Sequence, residues 1–242
     1  MDKYGIIGNP LGHSFSKGFF TEKFAREGID AQYLNFQIPE IKELLVILKE
    51  NPELRGLNVT LPYKTEVIPF LDELSDEARE IGAVNVVQVQ NGHLKGFNSD
   101  IIGFTQSIQP LLKPHHKKAL ILGTGGASRA IRVGLTRLGL EWKYVSRTPR
   151  EGMITYDDIT AETLKEYEVI VNCSPIGMFP KIDECPAIPY EFLTADNLLY
   201  DLVYNPETTL FMKKGALQGA IVKNGLEMLH LQAIASWNFW NE

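Results

Sequence analysis

The chain has 242 residues, 44% of them hydrophobic, and carries 24 Lys+Arg against 30 Asp+Glu for a net charge of −6. That is enough apolar material for a sizeable core, in one large domain or two small ones, and it excludes a disordered or fibrous chain. With no basic run beyond residues 113–118, no apolar stretch near the roughly 18 residues of a membrane span and no signal-peptide core in MDKYGIIGNP, no nucleic-acid or membrane partner is expected, and the protein is expected to be cytoplasmic.

The first hundred residues alternate strand and helix signals. YGIIG reads as a strand, residues 16–27 as a helix, the alternating AQYLNFQI as a strand and residues 41–49 as a helix. GLNVTL is a third strand broken by Pro62, and NVVQVQ and HLKGF flank Asn91-Gly92, a type I′ hairpin signal. A helix from residue 101 to about 112 is the natural bridge to a second domain. There the strand at residues 118–121, the strand EWKYVSRT and the buried-type strands VIVN and LLYDLV interleave with helical stretches at 160–165 and 209–214, as in an abbreviated doubly wound sheet. After the strand AIVKNG, GLEMLHLQAIASWNFW sets Met228, Leu229, Ala233 and Trp237 on overlapping helical faces, and this helix is expected to pack back onto the first domain.

The most informative segment is LGTGGASRA. An apolar strand runs into a turn whose Gly123, Gly125 and Gly126 leave no side chain between backbone and ligand, before Ser128 opens a helical pattern. A pyrophosphate fits the N-terminus of such a helix, where unpaired N–H groups point outward. The second strand of this unit ends not on an acidic residue, which would bond an adenosine ribose 2′-OH, but on Ser146, Arg147 and Thr148. A guanidinium and two hydroxyls suit a 2′-phosphate, so the expected cofactor is NADP(H). Arg147 also reads as a solvated charge at a strand end.

Polar residues gather at strand ends in the first domain. In NVTLPYK, Asn58 and Thr60 share a face by the period of two, and Pro62 ends the strand before Lys64. In GFNSD, Asn98 and Asp100 close the last strand before the bridging helix, while Ser14 and Ser16 sit in NPLGHSFSK. Each has an ordinary alternative: Lys64 a solvated side chain, Asp100 and Ser16 helix caps. Cys173 and Cys185 lack metal spacing and read as buried or inert thiols without a disulfide, and His13, His93, His115, His116 and His230 form no ligand pair, so no metal is expected. Asn58 and Asn172 match the glycosylation sequon only formally.

The ordered series HSFS, NVTLPYK, AVN, GFNSD, GTGGA, SRT, NCSPIGM, DLVYNPETT and GLEMLHLQA resembles the shikimate dehydrogenase family over nearly the whole chain. The resemblance implies an α/β fold of two domains. An open α/β substrate domain spans residues 1–101, joined by the C-terminal helix 225–242, and a Rossmann-like doubly wound NADP-binding domain spans 102–224. It implies reversible NADP-dependent reduction of 3-dehydroshikimate to shikimate in chorismate and aromatic amino acid biosynthesis. By position, Ser14, Ser16 and Thr60 would hold the substrate carboxylate and neighbouring groups, and Asn58, Asn85, Asp100 and Gln232 the ring hydroxyls, with Tyr204 close by. Lys64 and Asp100 would form the catalytic pair. Gly123, Gly125, Gly126 and Ala127 would cradle the pyrophosphate, Ser146, Arg147 and Thr148 would lie at the 2′-phosphate, and Leu202 and Gly225 on the nicotinamide side.

Three positions depart from the family pattern: Lys17 for a frequent proline, Ser99 for threonine and Ser146 for asparagine, none of them a reacting group. The chain is also short for the family, chiefly after Arg150. A quinate/shikimate dehydrogenase of broader specificity and a non-catalytic NADP-binding sensor are the alternatives. Arg147 speaks against the first, since such enzymes usually favour NAD, and retention of Lys64 with Asp100 against the second. The expected partner is a small-molecule substrate, with the chain a monomer or homodimer.

Overall fold

The computed structural model describes residues 1–12 and 15–242. It divides into two compact units, Met1–Ser99 with Gln232–Glu242, and Asp100–Leu231.

The first unit contains β1 (Asp2–Gly8), α1 (Phe15–Glu27), β2 (Ala31–Gln37), α2 (Leu44–Glu50), β3 (Leu54–Val59), β4 (Glu73–Leu74), α3 (Asp76–Ile81), β5 (Val86–Gln90) and β6 (His93–Phe97). Its sheet runs β2-β1-β3-β5-β6-β4. β1 pairs in parallel with β2 and β3, whereas β3–β5 and β5–β6 are antiparallel. The β5–β6 hairpin turns on Asn91 at φ 52° and Gly92 at φ 80°, the positive angles a type I′ turn demands. Alternation along the strands feeds two cores. Ile7, Leu57 and Val87 face one way, and Tyr4, Ile6, Tyr33 and Val86 the other.

The second unit holds α4 (Asp100–Ile108), β7 (Lys118–Leu122), α5 (Gly126–Arg137), β8 (Glu141–Ser146), β9 (Ile154–Thr155), α6 (Ala161–Glu166), β10 (Val169–Asn172), β11 (Leu198–Asp201), α7 (Leu210–Leu217) and β12 (Ile221–Lys223). Every strand pair in it is parallel, in the order β12-β11-β10-β7-β8-β9. Counted from β7 this is 3-2-1-4-5-6, the doubly wound dinucleotide-binding order, and the direction of winding reverses between β7 and β10. Leu120, Leu122, Ile170 and Leu199 enter the core on one face, Ile121, Val169, Val171 and Tyr200 that on the other. β10 and β11 are buried on both sides, as their unbroken apolar runs require.

The last helix, α8 (Leu226–Trp240), passes from the second unit into the first at Gln232. Its C-terminal half seats on the first sheet. Ala233, Trp237 and Trp240 join Tyr4, Phe20 and Phe24 in one core, and Trp240 Nε1 donates to the Val87 carbonyl at 3.1 Å. The indole lies flat over Gly56, where a Cβ would collide with the ring, so glycine is what lets the helix approach the sheet.

Several boundaries differ from the sequence reading. The helix after the glycine turn begins at Gly126, capped by the Gly125 backbone, rather than at Ser128, whose Oγ bonds back to the Gly125 carbonyl at 2.7 Å. β3 ends at Val59, so Thr60 lies just past the strand and Pro62 stops nothing; the Thr60 N–H still bonds the Ile7 carbonyl at 2.9 Å. The helix at 41–49 opens as a 3-10 turn, Ile41–Glu43, before α2. α3 is an addition whose signals were present: Ser75 caps it by accepting from the Ala78 N–H, and Gly82 closes it at φ 68°. Cys173 and Cys185 are free and half-buried. Among the described residues no helix is long and apolar enough to cross a membrane.

Candidate active site

In the first unit some of the polar residues singled out in the sequence come together around β3, the approach to β5 and α8. Asn58, on β3 opposite Ile6 of β1 and Val86 of β5, is buried. Its Oδ1 accepts from the Tyr33 hydroxyl at 2.7 Å, and its Nδ2 donates to Ser236 Oγ at 3.0 Å and to the Asn85 carbonyl at 3.4 Å. Tyr33 is stacked on Phe20 with 4.9 Å between ring centres and also hydrogen-bonds the Ser16 hydroxyl. Burial drives its phenol far above the usual tyrosine range, so it stays a neutral O–H. Asn85 grips Ser99 from both sides, its Nδ2 donating to Ser99 Oγ at 3.0 Å and its Oδ1 accepting from the Ser99 N–H at 2.7 Å. Ser99 Oγ lies 3.2 Å from Gln232 Oε1 and 3.1 Å from Ser236 Oγ. Ser16, Asn58, Asn85 and Gln232 therefore belong to one hydrogen-bonded set, drawn from α1, β3, the β5 approach and α8. Asn98 is tied instead to the Ala83 carbonyl at 3.0 Å.

Thr60 and Lys64 are half-buried on the turns that follow β3, and the Lys64 carbonyl accepts from the Val84 N–H at 2.7 Å. This bond pins the lysine's backbone beside the segment that leads into Asn85 and β5. Ser14 lies outside the described residues. Asp100, buried, opens α4 as the first residue of the second unit, directly after Ser99 in the chain.

The second unit presents a phosphate-type cradle. Gly123 lies beside Ser174 and adopts φ 101°, a backbone angle that residues with a side chain rarely take. Gly125 has open space where a Cβ would stand, and α5 starts there without a side-chain cap, so its first N–H groups and its dipole are offered to an anion. Ala127 follows in that first turn, half-buried. Beyond β8, Arg147 and Thr148 are exposed, while Ser146 is buried and accepts from the Thr148 N–H at 3.3 Å. The Arg150 guanidinium, which the sequence reading did not assign, lies 3.5 Å from Thr124 Oγ1 in the glycine turn. Open glycines, an uncapped helix start and cationic side chains without a carboxylate at the β8 end suit a dinucleotide bearing a 2′-phosphate.

At the ends of β10 and β11 lies a second feature missed in the sequence. The fully buried Asp201 accepts from Asn172 Nδ2 at 3.0 Å, the Val203 N–H at 3.0 Å and Thr209 Oγ1 at 2.6 Å. Loss of water pushes its pKa up to about 6, against the pull of those donors, and the same carboxylate helps to raise the Cys173 thiol. The cluster ties the NCSPIGM loop to DLVYNPETT. Next to Asp201 in the chain, the Leu202 N–H donates to the Asn172 carbonyl at 3.0 Å, and the Leu202 carbonyl would collide with any Cβ at Gly225, so the two expected nicotinamide-side residues are close neighbours. Tyr204, two residues further on, is exposed. An acidic residue closing an apolar strand, LLYD, is the sequence signal that marked it.

Residues 6–87 match the model of the shikimate dehydrogenase substrate-binding domain. The NADP-dependent shikimate dehydrogenase of Desulforamulus reducens is 33% identical over 98% of this chain and 88% of its own. The chain belongs to the shikimate dehydrogenase family. Among solved structures, the shikimate dehydrogenase of Aquifex aeolicus superimposes with a TM-score of 0.89 at 35% identity, covering 99% of this chain and 92% of that one. That of Thermus thermophilus, solved with NADP(H) and shikimate, gives 0.87 at 32% identity over 99% and 93%. The two-domain α/β architecture expected from the family, a substrate domain and a Rossmann-type domain, is the one seen here.

Proposed function

We propose that the protein catalyses the reversible, NADP-dependent reduction of 3-dehydroshikimate to shikimate, in the route to chorismate and the aromatic amino acids. One observation carries the reading: likeness to a relative solved with NADP(H) and shikimate extends over 99% of the chain, which keeps Lys64, Asp100 and the glycine turn. The α5 N-terminus with Gly123, Gly125, Gly126 and Ala127 would hold the pyrophosphate, Arg147 and Thr148 beside Ser146 the 2′-phosphate, and Leu202 and Gly225 the nicotinamide side. When bound, the cofactor supplies or accepts the hydride.

The chain's own residues bind, orient and move the proton. Lys64, as an ammonium, gives its proton to the alkoxide that develops as the ring ketone is reduced, and takes it back in the reverse direction. Asp100, the second reacting group of the proposal, would accept from the substrate hydroxyl. Ser14, Ser16 and Thr60 receive the carboxylate end, and Asn58, Asn85, Gln232 and Tyr204 the ring hydroxyls. Fixing these groups before the reaction removes orientational freedom that would otherwise be lost at the barrier. The same proposal places the enzyme in the cytoplasm, as a monomer or homodimer.

A spectrophotometric assay with purified protein, shikimate and NADP+ tests this, with quinate and NAD+ as controls. Turnover with shikimate and NADP+ above either control is expected. Tight NADP(H) binding without turnover of either polyol would instead mark a nucleotide sensor.

A further inference from the structure

Asn58 has its hydrogen-bonding capacity almost wholly committed inside the protein. An amide offers two protons and two principal lone pairs. Both protons are taken, by Ser236 Oγ at 3.0 Å and the Asn85 carbonyl at 3.4 Å, and one lone pair receives the Tyr33 O–H at 2.7 Å. The orientation admits no reversal. The Asn85 carbonyl can only accept, so a flipped amide would set two oxygens against each other there. That carbonyl is itself held by the Val59 N–H at 2.8 Å. Tyr33 in turn is fixed by its stacking on Phe20 and by burial that keeps its proton on.

We propose that Tyr33 is a positioning residue for the substrate: together with Ser236 it locks the Asn58 amide so that Asn58 meets a substrate hydroxyl through a single oxygen lone pair, as acceptor only. The assignment rests on the function proposed above, within which Asn58 faces a ring hydroxyl. It selects for a donor at that ring position. A carbonyl or ether oxygen there would find no proton to accept, because both Nδ2 protons point inward. Ser236 also contacts Ser99, so the same lock reaches the Asn85 and Gln232 side chains through one buried hydroxyl.

Tyr33→Phe keeps the ring and removes only the hydroxyl; Ser236→Ala removes the second anchor. Each variant of the full-length protein is assayed with shikimate and NADP+. Loss of one ordered neutral hydrogen bond corresponds to roughly a three- to tenfold rise in the KM for shikimate. A smaller change in kcat and an unchanged KM for NADP+ are expected. The decisive comparison adds Tyr33→Phe to Asn58→Ala. If Tyr33 acts through Asn58, the double variant has the KM of Asn58→Ala alone, whereas a further rise of the same size would place its effect at Ser16 and overturn the assignment.

Exchange of the Asn58 side-chain amide protons, followed by NMR on the unliganded protein, gives a readout independent of turnover. Slow exchange in the wild type that accelerates in both variants supports the lock. Equal rates in all three proteins refute it. A wild type that does not oxidise shikimate overturns the proposed activity, while the exchange measurement still decides whether Tyr33 holds the amide.

Discussion

Replacing Asp201 by Asn removes a charge from the buried end of β11 while preserving the shape of the side chain. The hydrogen bonds can survive. An Asn Oδ1 facing Asn172 Nδ2 and the Val203 N–H keeps both acceptor roles, and its amide group can donate to Thr209 Oγ1, which already accepts from the Met212 N–H at 3.3 Å. What changes is titration. Burial moves this acid from 3.8 to about 6, and at about 1.4 kcal/mol per pH unit its ionisation in the folded protein costs on the order of 3 kcal/mol relative to the unfolded chain. Because the folded value lies above the unfolded one, the native state holds the proton more tightly. Its contribution to stability is fully present below about pH 4 and is lost as pH rises through about 6. Urea unfolding of wild type and Asp201→Asn from pH 4 to 7 should therefore show the variant gaining on the wild type by roughly 2–2.5 kcal/mol across that window, other groups cancelling in the difference. A flat difference, or one of opposite sign, would mean that the donors outweigh the loss of water and that the carboxylate is a net stabilising anion.

Further expectations concern the reacting groups and the helix seat. Lys64→Ala should lower kcat with shikimate by at least about two decades while leaving NADP(H) affinity nearly unchanged, since general acid–base catalysis is worth roughly 10²- to 10⁴-fold; near-normal kcat in a folded variant would move the proton donor to Asp100. Arg147→Ala should weaken NADPH by roughly 10- to 150-fold and spare NADH, as measured by titration of each nucleotide. Equal loss of both would remove the 2′-phosphate role. Gly56→Ala drives a methyl into the Trp240 indole and should cost roughly 1–3 kcal/mol in thermal unfolding, as overpacking does; an unchanged midpoint would show that α8 can shift without penalty.

Much of the fold was legible because local physics dictates it. The alternation in AQYLNFQI and NVVQVQ, the unbroken apolar runs of VIVN and LLYD and the Asn91-Gly92 turn all act through nearest neighbours, and the strands and hairpin follow them. Helix ends were less secure. Gly125 caps α5 through its backbone, so no side chain announced the start two residues before Ser128. Thr60 fell just outside β3 because the ladder ends where the chain turns toward Pro62.

The sequence by itself determined the chemistry on offer: a glycine turn able to approach a phosphate, cations where an acid would repel one, and a lysine and an aspartate at strand ends. Glycine's lack of a Cβ and the sign of a charge are properties of the residues themselves. Only the tertiary structure decided which of these groups are held, and by what. Tyr33, Ser99 and Ser236 read in the string as an ordinary strand residue, a neighbour of Asp100 and a helix serine. They become the supports of Asn58, Asn85 and Gln232 because the fold brings α8 back onto a sheet more than a hundred residues earlier in the chain, out of reach of any local pattern. Asp201 likewise shows its raised pKa only once β10, β11 and the turn to α7 exclude water around it, since desolvation is a property of the assembled interior and not of the aspartate.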